Sequence, residues 1–545
     1  MTRRRGLDPA GLQILIARLT GIAEEMGSVL RRGAFSPNIK ERADCSAALF
    51  TPEGELLVQA EHIPVHLGSM PASVAAALAA FGPGLGPRDQ VVLNDPFAGG
   101  THLNDLTLVA PCFVDGELVG WAANRAHHAD VGGMAPGSIP PEATEVYQEG
   151  LRIPPVVLTP EVEALLLANS RTPVERQGDL DAQRGANAVG VARLAAHAGD
   201  PLEEIGDYGE RRMRAALATI PDGRWTFVDQ LDSTGPGPDQ QRPVPVVVTL
   251  TVAGEEATFD FTGSGPQQPG NANAVAAVTV SAVSFALRCA TDPTIPASGG
   301  AMRPVRIVAR EGTVVAARPP AAVGAGNVEV SQRVADVCLG ALAQAVGDRV
   351  GAAGQGTMNN ILVGGSGGGG GPWVYYETVA GGQGGRPGRA GMSGVHTGMT
   401  NNVNEGHQSA PCKPGQSGIH TGMTNTKNTP IEALERHYPI RVLRYRLRTG
   451  SGGRGLCPGG EGIERDVLML EDVTVSLITE RRVSRPWGLA GGKPGATGEN
   501  WLLPGGDESR VEQLPDKCTI RMKAGDVLRM LTPGGGGWGT PRDQP

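Results

Sequence analysis

Aromatic side chains are scarce here: Phe, Tyr and Trp together make up 4% of 545 residues. No run of about 18 uncharged apolar residues exists, so no membrane-spanning helix is expected. The seven cysteines are odd in number, scattered and without a C-x-x-C pair. That argues against a cysteine-based zinc site and fits a reducing cytoplasm better than secretion. A basic block is missing too, and with a net charge of -8 and an isoelectric point near 5.8 nucleic acid is a poor partner. No G-x-x-x-x-G-K-[ST] occurs, since Gly492-Lys493 is followed by Pro494. A P-loop is therefore absent, and any ATP used in the reaction has no visible site in this sequence.

What is plentiful is backbone punctuation: 80 Gly and 43 Pro. Glycine is roughly double its usual share of about 7%. It follows no period of three, which excludes collagen, while 40% hydrophobic residues and a modest charge argue against disorder. Length sets a prior of roughly three to four domain-sized units. The N-terminal MTRRRGLDPAGLQILIARL imitates a signal peptide, but Arg18 interrupts the apolar stretch and no small-residue cleavage site follows. Leu12, Leu15, Leu19, Ile22, Met26 and Val29 instead recur at helical spacing behind Asp8-Pro9, a cap and first turn.

The expected class is mixed α/β (α+β): antiparallel β-rich segments and packed helices, with a Gly-rich, β-like C-terminal part. Residues 47–50 and 56–58 read as a hairpin, 70–81 as a helix and 91–93 as a buried strand. Residues 106–113 and 117–124 flank Asp115-Gly116, the strongest short hairpin signal. Helical patterns follow at 160–169, 181–219, 274–290 and 330–346. The turn-rich stretch 233–243 is a candidate linker between an N-terminal metal or catalytic region, 1–232, and a C-terminal region, 244–545. The run 364–371 reads as a flexible loop. One segment is duplicated within 393–425: Ser393–Asn401 returns as Ser417–Asn425.

Half of the ten histidines fall at His62, His66, His102, His127 and His128, in a region that also holds Asp44, Asp95, Asp105 and Asp130. A two-residue turn at Asp115-Gly116 pairs Val114 with Glu117, which sets Asn104 across from His127 and Asp105 across from Ala126. Opposed Cβ atoms in such a ladder lie about 4.5–5.5 Å apart. His102, Asp105 and His127 then converge if the ladder frays at that end. Two imidazoles and one carboxylate make a facial set with open positions, suited to Mn, Fe or Zn. The same side chains also serve as strand-end caps, and spacing leaves both readings open. His128, adjacent on the strand, faces the other way. In His62-Ile-Pro-Val-His66 the proline forbids a regular helix, so the pair is read as substrate contact, ligand support or structural hydrogen bonding.

Ser36-Pro-Asn-Ile-Lys-Glu-Arg-Ala-Asp44, the 62–70 segment, Asn94–Asp105 and Asn124–Gly133 resemble the hydantoinase B/oxoprolinase family. Ala325-Gly-Asn-Val-Glu329, Tyr375–Thr378, Thr424–Glu432, Pro486–Leu489 and Thr532–Gly539 continue the likeness in order. The resemblance implies a B-type component that works with an A-type ATPase subunit in ATP-dependent opening of cyclic amides: 5-oxoproline, hydantoin, N-methylhydantoin or a lactam. ATP is bound by the partner, which activates the amide oxygen; metal-bound water attacks in the B-type component. It carries the metal ligands onto His102, Asp105 and His127, and makes Asp44 a candidate for water activation or a further ligand. Catalytic candidates are thus Asp44, His62 and His66. Acetone and acetophenone carboxylases are related, so a carboxylase subunit is the alternative, and a non-catalytic scaffold for the A-type partner is the third. The family pattern is interrupted at 401–416, between the duplicated segments, and the first copy with its Cys412 linker looks inserted.

Overall fold

The computed structural model describes residues 7–60, 63–367, 371–388 and 412–541. Helix α1 (Pro9–Gly33) starts where Asp8 accepts the Gly11 N–H and Pro9 supplies the first turn. Its buried face carries Leu12, Leu15, Leu19, Ile22, Met26 and Leu30. Each such side chain is worth about 1.5–3 kcal/mol when fully buried. Short α2 (Pro37–Lys40) then turns the chain into the first sheet.

That sheet contains β1 (Cys45–Phe50), β2 (Leu56–Ala60), β3 (Val91–Leu93), β4 (Asp105–Val114), β5 (Glu117–His127) and β6 (Val156–Val157) in the order β2-β1-β5-β4-β3-β6. All its pairings are antiparallel. One face is covered by α1 and α5 (Pro173–Leu194), sharing an apolar cluster with Cys45, Ala47, Leu49 and Ala126. Helix α3 (Ser69–Phe81) covers the other, packing Met70, Val74 and Ala77 on Ala48, Phe50, Val109 and Trp121. The stretch Pro64–Phe81 has the length and mean hydropathy, 1.3 over 18 residues, to cross a bilayer, which run length alone did not show. Half of it is buried in the protein, and Ser69 and Ser73 on its inner face accept from Arg125.

The 181–219 pattern resolves into two helices. After α4 (Pro160–Ala168), it begins at Pro173 as α5 and, past the break at Gly199-Asp200-Pro201, resumes as α6 (Glu203–Leu217). A second sheet, β7 (Gly223–Leu231), β8 (Val244–Ala253), β9 (Glu256–Asp260) and β10 (Val305–Val308), packs against α7 (Ala276–Ala290) and α8 (Ser331–Ala345) in the largest apolar cluster. Residues 233–243 connect β7 to β8, which pair from Leu231 and Val244 to Gly223 and Val252. Beyond them, β11 (Asn360–Gly365) and β12 (Trp373–Thr378) join Val473–Ile478 and Lys517–Met522 in a third sheet, and a five-stranded antiparallel sheet follows. The mixed α/β class holds, with the β-rich part C-terminal. Cys412 and Cys457 form a disulfide across 45 residues of sequence, a separation no spacing rule flags, and five other cysteines are buried thiols.

Candidate metal centre

The Asp115-Gly116 hairpin forms as its sequence predicts, with both turn residues at positive φ, 51° and 85°. Its register differs by one residue. A bulge between Cys112 and Phe113 opposes Phe113 to Leu118 and Cys112 to Gly120, leaving Val119 extra on β5. From there down, Asp105 lies across from His127 and Leu106 across from Ala126. The ladder need not fray for the ligands to meet. Gly120 permits the bulge because a Cβ there would sit 2.5 Å from the Phe50 carbonyl oxygen of β1.

His102 Nε2 lies 3.1 Å from Asp105 Oδ1 and 3.2 Å from His127 Nδ1, and His127 Nδ1 lies 3.2 Å from the same oxygen. All three side chains are buried. Two ligand atoms each about 2.1 Å from one ion stand roughly 3.0–3.4 Å apart, so the spacing suits a shared cation. The donor chemistry agrees. His102 Nδ1 faces the Gly324 carbonyl at 3.3 Å; donation there turns the Nε2 lone pair towards the Asp105 oxygen. His127 Nε2 is buried without a partner. A cation would satisfy the inward-facing lone pairs of both rings and of the carboxylate at once.

The surroundings fix this set. Asp105 Oδ2 accepts from Thr101 Oγ1 at 2.6 Å and lies 3.4 Å from His66 Nε2, while His66 Nδ1 meets Ser46 Oγ at 2.8 Å. His66 thus touches the ligand carboxylate. His62 lies outside the described residues. His128 points away, to Gln183 at 2.9 Å. Asp44 sits at the entry to β1, its carbonyl accepting the His127 N–H at 3.0 Å. Asn327, from the turn before α8, places Nδ2 3.1 Å from His102 Nε2. Tyr376 of β12 stacks on His127 with ring centroids 4.7 Å apart, and the Arg42 guanidinium also lies over the Tyr376 ring, 4.9 Å from its centroid. Asn327 and Tyr376 belong to motif segments already noted, yet nothing local marks them as parts of this site.

Burial pushes the Asp44 carboxyl up to about 7, partly offset by Arg42. Asp105 is well below the usual carboxylate range: burial opposes this, but the His102 charge and hydrogen bonds from three imidazoles outweigh it. Burial drives His127 down to about 3 and lowers His66, whereas Asp105 raises His102 despite burial. A cavity of about 900 Å³ opens beside the segment that carries Asp44, between α1, β2 and residues 416–428. Arg31, Ala43, Gln59, Arg288, His420 and Lys427 are among its walls. The second copy of the duplicated segment thus borders this cavity; the first lies outside the described residues.

The family profile described as hydantoinase B/oxoprolinase matches residues 8–407 and 402–541. An uncharacterized protein of Methanocaldococcus jannaschii is 40% identical, covering 99% of this chain and 92% of that protein. 5-Oxoprolinase 1 of Arabidopsis thaliana is 36% identical over 98% of this chain, which spans 42% of the plant protein. A Pseudomonas protein provisionally named as the B component of a D-/L-hydantoinase is 30% identical, over 100% of this chain and 92% of its own. Among solved structures, the ATP-dependent caprolactamase of Pseudomonas jessenii superposes with a TM-score of 0.85 at 27% identity, covering 99% of this chain and 93% of that one. Nucleotide-free acetone carboxylase shares the fold, with a TM-score of 0.83 at 18% identity over 99% of this chain and 76% of its own.

Proposed function

The chain belongs to the hydantoinase B/oxoprolinase family, and from that premise we propose that it is the ring-opening B component of an ATP-dependent cyclic amidohydrolase. Its substrate is a small cyclic amide, such as 5-oxoproline, a hydantoin or a lactam, and its partner is an A-type ATPase subunit in the cytoplasm. The observation that carries this reading is the buried set His102, Asp105 and His127, whose donor atoms lie within 4.8 Å of one another. The names of the oxoprolinase and caprolactamase relatives support it. So does the missing P-loop, which leaves ATP to the partner.

An amide is a poor electrophile; activation of its oxygen at the expense of ATP makes the carbonyl carbon electrophilic enough for water to add, after which the ring C–N bond breaks with a proton going to the nitrogen. His102, Asp105 and His127 would hold a divalent Mn, Fe or Zn ion, which supplies Lewis acidity, making water acidic enough to be a nucleophile near neutral pH or polarising a carbonyl. The remaining work falls to the chain. Asp105 turns its second oxygen to Thr101 and His66, which hold the carboxylate in place. Gly324 and Tyr376 fix the two rings in orientation. Asp44, held near neutrality by burial, takes a proton from the attacking water. A cavity lined by Ala43, next to Asp44 in the chain, has room for the ring.

Co-expression with an A-type ATPase, followed by assays on 5-oxoproline, hydantoins and caprolactam, tests this reading. ATP-dependent ring opening without bicarbonate is expected. Bicarbonate-dependent product from acetone would overturn the hydrolase in favour of a carboxylase. A metal-free complex that tolerates His102→Ala and His127→Ala would leave the chain a scaffold.

A further inference from the structure

We infer that Asn327 is a further ligand of the cation held by His102, Asp105 and His127, binding through its side-chain oxygen. The inference rests on the metal reading above and extends it to a residue from the C-terminal half of the chain. Asn327 is 4% exposed. Its Nδ2 lies 3.1 Å from His102 Nε2 and 3.3 Å from Asp105 Oδ2. The first distance equals that between His102 Nε2 and Asp105 Oδ1, so the inner amide atom stands from His102 at the spacing of the ligand set.

The amide's other end supplies a second, independent observation: Oδ1 is buried and has no partner. With Nδ2 inward, an N–H engages the His102 lone pair that a cation requires, while an acceptor is left unpaired outside. A half-turn of the carboxamide brings Oδ1 to the inner position, where it donates a lone pair alongside two imidazoles and a carboxylate. Neutral amide oxygens are ordinary ligands for hard divalent ions. The backbone is built to hold this side chain in place. Asn327 lies in a π-helical turn, Gly326–Val330, immediately before α8, a distortion often associated with functional sites. A Cβ on Gly326 would sit 1.9 Å from the Asn273 carbonyl oxygen, and Ser331 Oγ donates to the Asn327 carbonyl at 2.7 Å.

The test is Mn²⁺ titration of the full chain by calorimetry, with water-proton relaxation of the bound Mn²⁺ counting its waters, for wild type, Asn327→Ala and Asn327→Asp. Asn327→Ala is expected to weaken Mn²⁺ about tenfold or more and to add one exchangeable water. Asn327→Asp, which keeps an oxygen in place, is expected to bind at least as tightly as wild type with the water count unchanged. An alanine variant with wild-type affinity and water count overturns the inference. So does one with weakened affinity and an unchanged count, which makes Asn327 an N–H donor that positions Asp105. Should the alanine variant not fold, a loss of Mn²⁺ affinity in Asn327→Asp overturns it. Wild-type protein that takes up neither Mn²⁺ nor Zn²⁺ fails at the metal reading itself and removes this inference with it, whereas binding without ring-opening activity leaves it intact.

Discussion

Asp105 is the side chain that the other members of the site hold in common. It meets His102 and His127 through one oxygen, and Thr101 and His66 through the other. Asp105→Asn keeps the volume and removes the charge. We expect metal content, measured by plasma mass spectrometry, to fall to about a tenth or less, and kcat to drop by about 100-fold or more. Glu329 gives a pH prediction outside the ligand set. Burial and the neighbouring Glu480 push its carboxyl from 4.5 up to about 8. Oε1 accepts from Thr357, Met358 and Asn360, while Oε2 has no partner. Because the folded pKa is raised, the folded state binds more protons than the unfolded one between these values, and stability falls as pH rises from about 4.5 to about 8. Glu329→Gln is expected to add about 1–3 kcal/mol at pH 9 and little at pH 4, as read from urea unfolding at both values.

At the scale of elements, the β4–β5 hairpin carries the ligands and its bulge sets their register. Asp115-Gly116 was a sufficient signal for the turn, and α1, the β1–β2 hairpin and α3 were legible from period and punctuation. The pairing of Asp105 with His127 was not, because a bulge shifts it without altering the turn. Its one sequence mark is Gly120, an isolated glycine within a strand pattern. Gly120→Ala forces a Cβ against β1, and we expect a loss of about 1–3 kcal/mol together with weaker metal binding, measured by denaturant unfolding and Mn²⁺ titration.

For the whole molecule, the centre joins parts distant in sequence. His102, Asp105 and His127 come from the first sheet, Gly324 and Asn327 from the approach to α8, and Tyr376 from the third sheet. The Arg42 guanidinium also donates to the Tyr376 carbonyl at 2.9 Å and to Thr378 Oγ1 at 2.9 Å. Contacts across more than 200 residues of sequence leave no periodic trace, which is why Asn327 and Tyr376 escaped sequence reasoning. Metal binding should therefore stabilise both halves together. At a free concentration 100 times its Kd a cation adds about 2.7 kcal/mol, so calorimetry is expected to show one endotherm moving upward with Mn²⁺ and downward with a chelator.

The extra residue on β5 also has a consequence for descent. If Val119 stayed in the chain but the bulge were ironed out, the position opposite Asp105 would pass from His127 to its neighbour Ala126. A relative that lost the bulge would keep the ligand pair only by moving its histidine one place towards the turn. A one-residue gap between turn and histidine in an alignment therefore marks a relative that lost the bulge and kept the ligand pair.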